Sequence, residues 1–281
     1  MKTQKISLLP AFTNGILKII RGVRRDRRAE EQLQAKGSRM RQAIISDVHA
    51  NVAALEQVLR CIERERCDKV ICLGDNVGYG PFPNECVEMV HTAATVTLAG
   101  NHDHAVLGWT SMEEFNEYAQ EALLWSRPRM RPEATELMKK DPLLWREEDL
   151  CYVHATPFES EQWHYVLNAY DAATNFNAFS EQICFVGHSH HPAIFSLNRN
   201  QQIRLQVVPE MQLEPDQRYI INVGSVGQPR DGNPDAAFVI YDTEQKHVRW
   251  IRVEYDVAAT QQAMRQFGLP SFLIRRLAIG H

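Results

Sequence analysis

Five times this chain runs an apolar, strand-forming stretch straight into a cluster of aspartate, histidine, asparagine or glycine. The stretches are AIISDVH (43–49), KVICLGDNVGYG (69–80), ATVTLAGNHD (94–103), DLCYVHATP (149–157) and QICFVGHSHHP (182–192). Each apolar run is too short for a buried helix, and its β-branched content favours a strand. Between the first and second lies NVAALEQVLRCIERER (51–66), with Leu55, Val58, Leu59 and Ile62 on one helical face. Pro83 can open a further helix, NECVEMVHT, before the third strand. Strands alternating with helices predict βαβ units and a parallel sheet, whose functional groups collect at the carboxyl ends of the strands.

Farther along, residues 112–140 read as helical, clearest in SMEEFNEYAQEALLW and again in RPEATELMKK. An amphipathic NAYDAATNFNAF lies in the connection between the fourth and fifth strands. After residue 192 the pattern changes to AIFSL, IRLQVV, RYIINVGS, AAFVIYD and VRWIRVEYD, from which a second, mostly antiparallel sheet is expected. The chain closes with helical text broken at GLP (268–270). Residues 41–281 are thus expected to form one domain with two sheets.

The polar tips are Asp47 and His49; Gly74 and Asp75; Gly100, Asn101, His102 and Asp103; His154; and Gly187, His188 and His190. A doubly wound sheet would bring them to one edge. Carboxylate, imidazole and amide oxygen without thiolate suit borderline-to-hard divalent ions such as Mn²⁺, Fe²⁺ or Zn²⁺. In extended chain residues i and i+2 point the same way, so Asp47 and His49 can grip one ion together, and His188 and His190 can do the same. His191 would then face away. Asp75, with two carboxylate oxygens, is the natural bridge between two ions, and a carboxylate-bridged pair of cations is a phosphoester-cleaving arrangement. His102 follows a ligand position and can protonate a leaving oxygen or stabilise transition-state charge.

SDVH, GDNVGYGP, GNHD, VHATP and GHSHHP together resemble the five sequence blocks of the calcineurin-like metallophosphoesterase superfamily, over about residues 41–256. The resemblance implies a mixed α/β fold, a four-layer αββα sandwich of two mixed β-sheets flanked by helices, with a dinuclear metal centre at the strand ends. Carried over position by position, it implies that Asp47, His49 and His190 hold one metal and Asn101, His154 and His188 the other. Asp75 bridges, and His102 stands at the family's catalytic histidine. The implied cofactors are two divalent ions, manganese first, with iron, zinc, nickel or cobalt as alternatives.

GDNVGYG and GNHD depart from the GDxVDRG and GNHE of the protein Ser/Thr phosphatases of that superfamily, which lowers protein dephosphorylation in the ranking. The layout is closer to the bacterial and archaeal phosphodiesterase subgroup, down to a GLP…L..RL..G tail at 268–280. The expected activity is hydrolysis of phosphodiester or phosphomonoester bonds, phosphodiesters and nucleotides foremost, by in-line attack of a metal-bridging hydroxide. Protein phosphatase or dinucleoside polyphosphate hydrolase activity, and a non-catalytic metal-bound scaffold, stand as alternatives.

Beyond the motifs, Arg230 in GSVGQPRDG is a candidate substrate-phosphate clamp, since guanidinium matches phosphate oxygens bidentately; the alternative is a loop arginine paired with Asp231. Asn76 and His104 are expected to orient loops, Gly224 and Gly227 to serve a tight turn, and His91 to pack. Trp163, His164 and Tyr79 are candidates for packing or for the roof of the site.

The formal net charge is −4, yet residues 1–42 carry eleven Lys or Arg against three acids, about +8, leaving about −12 on the remainder. Residues 1–40 therefore read as an appended basic extension, in which Ile16, Leu17, Ile20 and Val23 are spaced as on a helix. Such an arm suits an anionic membrane surface or nucleic acid, or is simply solvated; the expected location is the cytoplasm, peripheral to the membrane if the arm binds lipid. The six cysteines form no CxxC pair and read as buried thiols in a reducing compartment.

Overall fold

The computed structural model describes residues 40–281. The basic extension and its amphipathic segment lie outside the described residues.

The first sheet begins as the βαβ pattern predicts. Strand β1 (Arg41–Ile45) leads into helix α1 (Val52–Arg64), then β2 (Lys69–Cys72), α2 (Pro83–Ala93) and the short β3 (Val96–Thr97). β1 pairs parallel with β2, and β2 with β3. Asn51 caps α1 by accepting the Ala54 amide, and Pro83 occupies the first turn of α2, where no intrahelical donor is lost. Three helices follow: α3 (Asn101–Leu107), α4 (Glu117–Ser126) and α5 (Pro132–Met138). The chain then forms β4 (Leu144–Glu147), β5 (Leu150–Val153), α6 (Ala169–Phe176) and β6 (Ile183–Val186). Next come β7 (Ala193–Leu197), β8 (Ile203–Gln206), β9 (Glu210–Gln212), β10 (Arg218–Asn222), β11 (Ala236–Asp242) and β12 (His247–Val253). Helices α7 (Val257–Gln266) and α8 (Ser271–Arg276) complete it, separated at GLP as expected.

The strands after residue 192 do not build a sheet of their own, which corrects the sequence expectation. One six-stranded sheet runs β3-β2-β1-β11-β12-β9 and the other β4-β5-β6-β10-β7-β8. β11 and β12 extend the first sheet antiparallel to β1, while β10 joins the second, parallel to β6 and antiparallel to β7. Alternation along a strand identifies its two faces but not its neighbour. Nor are all five polar tips on one doubly wound sheet: the first three end strands of the first sheet, and the last two end β5 and β6 of the second.

Burial on both faces explains the four layers. Ile44, Ile71, Val239 and Tyr241 of the first sheet pack against Tyr152, Phe185, Tyr219 and Ile221 of the second. Their neighbours Ala43, Ile45, Val70 and Phe238 point the other way, into Leu55, Val58, Leu59 and Ile62 of α1 and Val90 of α2. Cys151, Cys184 and Phe195 on the outer face of the second sheet meet Ala172 and Phe176 of α6. The result is helix, sheet, sheet, helix, with the carboxyl ends of β1, β2, β5 and β6 meeting at one rim. The cysteines are free, and only Cys67 is not fully buried. Among the described residues no helix is long and apolar enough to cross a membrane.

Candidate metal centre

At that rim the backbone leaves the strands by left-handed turns, not by continuing extended. Asp47, His49, Asp75, His188 and His190 all have φ between 46° and 64°. This corrects the extended-chain argument for Asp47 with His49 and for His188 with His190: the side chains converge because the main chain curls beneath them. Each such L-residue costs roughly 1–2 kcal/mol. A ladder between the two loops offsets the cost, with Asp47 N donating to Gly74 O (3.0 Å), His49 N to Asp75 O (2.9 Å) and Ala50 N to Asn76 O (2.9 Å). The second sheet ties in through His188 N to Asp47 Oδ2 at 3.0 Å. Close approach also explains Gly187, where a Cβ would lie 2.1 Å from Ser46 Oγ and 2.7 Å from Asp47 Oδ2.

The buried side chains form two groups with Asp75 between them. In the first, His49 Nε2 and His190 Nε2 are 3.1 Å apart, and Asp47 Oδ1 lies 3.2 Å from His190 Nε2 and 3.7 Å from His49 Nε2. In the second, His154 Nε2 lies 3.2 Å from Asn101 Oδ1, with His188 alongside. Asp75 Oδ2 is 3.7 Å from His49 Nε2 and 3.4 Å from His154 Nε2. Thus His190 sits with Asp47 and His49, and His188 with Asp75 and His154, so the two histidines divide between the groups. Exposed His191 turns back to the Ser189 carbonyl at 2.7 Å.

The chemistry of this donor set fits a cation. His49 Nδ1 bonds the Val77 carbonyl at 2.9 Å and His190 Nδ1 the Gln228 carbonyl at 2.6 Å. A carbonyl only accepts, so both Nδ1 atoms carry the proton and both Nε2 atoms present lone pairs. Two lone pairs thus face each other at 3.1 Å beside a carboxylate oxygen. Asp47 Oδ1 and His188 Nε2 are buried without a hydrogen-bond partner. In the first group acceptors converge with no donor among them; in the second, the unpartnered His188 Nε2 joins Asp75, Asn101 and His154, whose ring proton an ion would displace, so each group could hold a divalent ion.

Charge follows the same geometry. Burial pushes His188 down to about 3 and His102 down to about 4, and lowers His49 and His190 as well. Burial also acts on His154, but the Asp75 carboxylate outweighs it and lifts that imidazole to about 9. Asp75 is held below the usual carboxylate range: burial opposes this but is overcome chiefly by His154, 3.4 Å away.

Asp103 has a role that the sequence reading did not assign. Its carboxylate accepts the amides of Asp75 (2.8 Å), Asn76 (3.0 Å), Val77 (3.3 Å) and Gly100 (3.1 Å), pinning the Asp75 loop to the start of α3. Burial and the Asp75 charge push it up to about 7. Asn76 contributes through its backbone to this loop, and Gly227 N donates to Asp47 O at 2.9 Å, a long-range tie in which a Cβ on Gly227 would lie 1.9 Å from Val48 O.

His102 lies over this floor. Its amide donates to Asp75 Oδ1 (2.9 Å), and its ring packs against Tyr79 (4.6 Å), His49 (4.8 Å) and Phe115 (5.0 Å) between centroids. A cavity of about 310 Å³ opens above, bounded by His102, Phe115, Trp163, Tyr165 and Arg230. Tyr165, not singled out from the sequence, stacks on His188 with centroids 4.0 Å apart. Trp163 roofs the site, edge-on to both His104 and His154, whereas His164 is exposed and bonded to Glu159. Arg230 faces the cavity and donates to Gln228 Oε1 at 2.9 Å; Asp231 pairs instead with Arg252. His91 packs, bridging the Val87 carbonyl and Asp141.

Residues 40–246 match the sequence model of the calcineurin-like phosphoesterase superfamily domain. An uncharacterized protein of Methanocaldococcus jannaschii is 37% identical over 243 residues, covering 85% of this chain and 97% of its own. The crystal structure of a metallophosphoesterase from Sphaerobacter thermophilus is 40% identical and superimposes with a TM-score of 0.77, covering 87% of this chain and 100% of that one. A hypothetical protein from Pyrococcus horikoshii shares the fold at 17% identity, with a TM-score of 0.70 over 86% of this chain and 99% of that one.

Proposed function

Since this chain belongs to the calcineurin-like phosphoesterase superfamily, and is on that ground a phosphoester hydrolase dependent on divalent metal, we propose that it cleaves phosphodiesters or nucleotides at the rim described above, with manganese as the working ion. The observation that carries this reading is Asp75, whose Oδ2 stands between His49 and His154 at 3.7 and 3.4 Å. Asp47, His49 and His190 would hold one ion, Asn101, His154 and His188 the other, with Asp75 shared. When bound, the pair supplies Lewis acidity, lowering the pKa of a nucleophilic water and offsetting charge on the phosphoryl oxygens.

The chain's own residues do the rest. His102, kept neutral at pH 7 by burial, offers a ring N–H hydrogen bond that stabilises charge on the leaving oxygen, whose proton comes from solvent. Arg230 is bonded to the neutral Gln228 amide, so its charge is available to a phosphoryl oxygen. Phe115, Trp163 and Tyr165 wall the cavity and exclude water around an ester substituent. The test is turnover of bis(p-nitrophenyl) phosphate with Mn²⁺. Asp75→Asn and His102→Ala should each lose nearly all activity while remaining folded by circular dichroism. Full activity in both variants would sink the assignment. A panel of nucleotides, dinucleoside polyphosphates and phosphomonoesters then ranks the substrate classes.

A further inference from the structure

The GLP tail is built into the substrate wall. Leu273, Ile274 and Leu277 of the closing segment are buried in one cluster with Tyr79. Tyr79 in turn sits edge-on to His49 at 4.6 Å and under the Arg230 guanidinium at 5.6 Å. Past α8 the chain doubles back onto the loop that carries Arg230. Gly232 N donates to Gly280 O at 2.9 Å, and Arg276 Nε bonds the His281 carbonyl. Gly280 is in the left-handed region (φ 64°), and a Cβ there would lie 2.6–2.7 Å from the backbone of Asn233. From the other side Arg252 holds the same loop by Asp231 and by the Asp235 carbonyl at 3.2 Å.

We propose that the carboxyl-terminal hook, residues 277–281, is a positioning element for substrate binding: through Gly280 it holds the 230–233 loop so that Arg230 faces the cavity. The proposal rests on the reading of Arg230 as a phosphate-binding residue. Among the described residues no hydrogen bond or ion pair joins the hook to either group of metal-site residues, so its effect should fall on binding and not on the chemical step. Gly280 is required twice, for its left-handed backbone and for the space its missing side chain leaves to Asn233. Gly268 separates the two requirements, because it too is left-handed (φ 73°) but has nothing within 4 Å of an added Cβ.

The experiment compares Gly280→Ala, Gly268→Ala, Arg230→Ala and the Arg230→Ala/Gly280→Ala double variant, all full-length and Mn²⁺-loaded. Three readouts are used: KM and kcat on bis(p-nitrophenyl) phosphate, calorimetric affinity for inorganic phosphate, and hydrogen exchange at the Gly232 amide. Losing a charge-assisted contact should raise KM about tenfold in Arg230→Ala. Gly280→Ala should raise KM roughly fivefold, with kcat within about twofold, and speed Gly232 exchange, a partial loss of the same contact. Gly268→Ala should match wild type in KM, and the double variant should bind no more weakly than Arg230→Ala alone. Unchanged phosphate affinity in Gly280→Ala despite faster Gly232 exchange overturns the proposal, as do multiplicative losses in the double variant. If phosphate binding depends on both residues but no ester is turned over, the hydrolase reading fails while the hook stands.

Discussion

Supplying and withdrawing metal tests the centre most directly. His49 Nε2, His190 Nε2 and Asp47 Oδ1 lie 3.1–3.7 Å apart with no donor among them. An unsatisfied buried polar group costs about 1–3 kcal/mol, so a cation that satisfies these three could recover about 3–9 kcal/mol. Linkage gives a comparable figure from the other direction: an ion at a hundred times its dissociation constant stabilises by about 2.7 kcal/mol, or about 5 kcal/mol for two sites. In a chain of this size each kcal/mol moves the midpoint by about 2–4 °C. Mn²⁺ added to chelator-treated protein should therefore raise the thermal midpoint by about 10–20 °C in calorimetry. Asp47→Asn replaces one acceptor by a donor facing His190 and removes a charge, so at least about half of that gain should disappear. A rise below about 3 °C with each of Mn²⁺, Co²⁺, Ni²⁺ and Zn²⁺ would refute the reasoning, as would a full gain in the Asn variant.

Two further outcomes follow from packing and charge. Gly187→Ala forces a Cβ into Ser46 Oγ and Asp47 Oδ2, so the metal-dependent rise should vanish and the metal-free protein should lose about 1–3 kcal/mol in urea unfolding; a wild-type response shows that the loop has room to yield. At His91, burial is outweighed by the Asp141 bond at 3.0 Å, so its folded pKa lies above the unfolded value. The stability it adds is fully present below about pH 6.5 and is lost as pH rises through the folded value. His91→Gln should accordingly cost about 1.5 kcal/mol at pH 6 and clearly less at pH 9. A cost that grows with pH would reverse the sign assigned to this pair.

Chemical type and order are legible in the residues alone. Short apolar runs ending in Asp, His and Asn specify strands with polar tips, and the amphipathic face of α1 falls where its periodicity places it, because both signals are local. The same locality explains its failures. β11 and β12 alternate as any half-buried strand does, and nothing within them records that β1 is their neighbour. Extended-chain geometry predicts the pairing of Asp47 with His49 for the wrong reason. Its actual basis is a left-handed turn kept by hydrogen bonds to the Gly74–Asn76 loop and by the second sheet. Asp103 stood in the GNHD motif without a role, since only the fold brings four amides onto its carboxylate. In FVGHSHHP alternation predicts His191 apart from the other two histidines, and it does stand apart, but through left-handed turns at His188 and His190 and its own bond to the Ser189 carbonyl. That His188 and His190 serve different groups was decided by Asp47, Asp75 and His154, residues that only tertiary contact brings within reach of them.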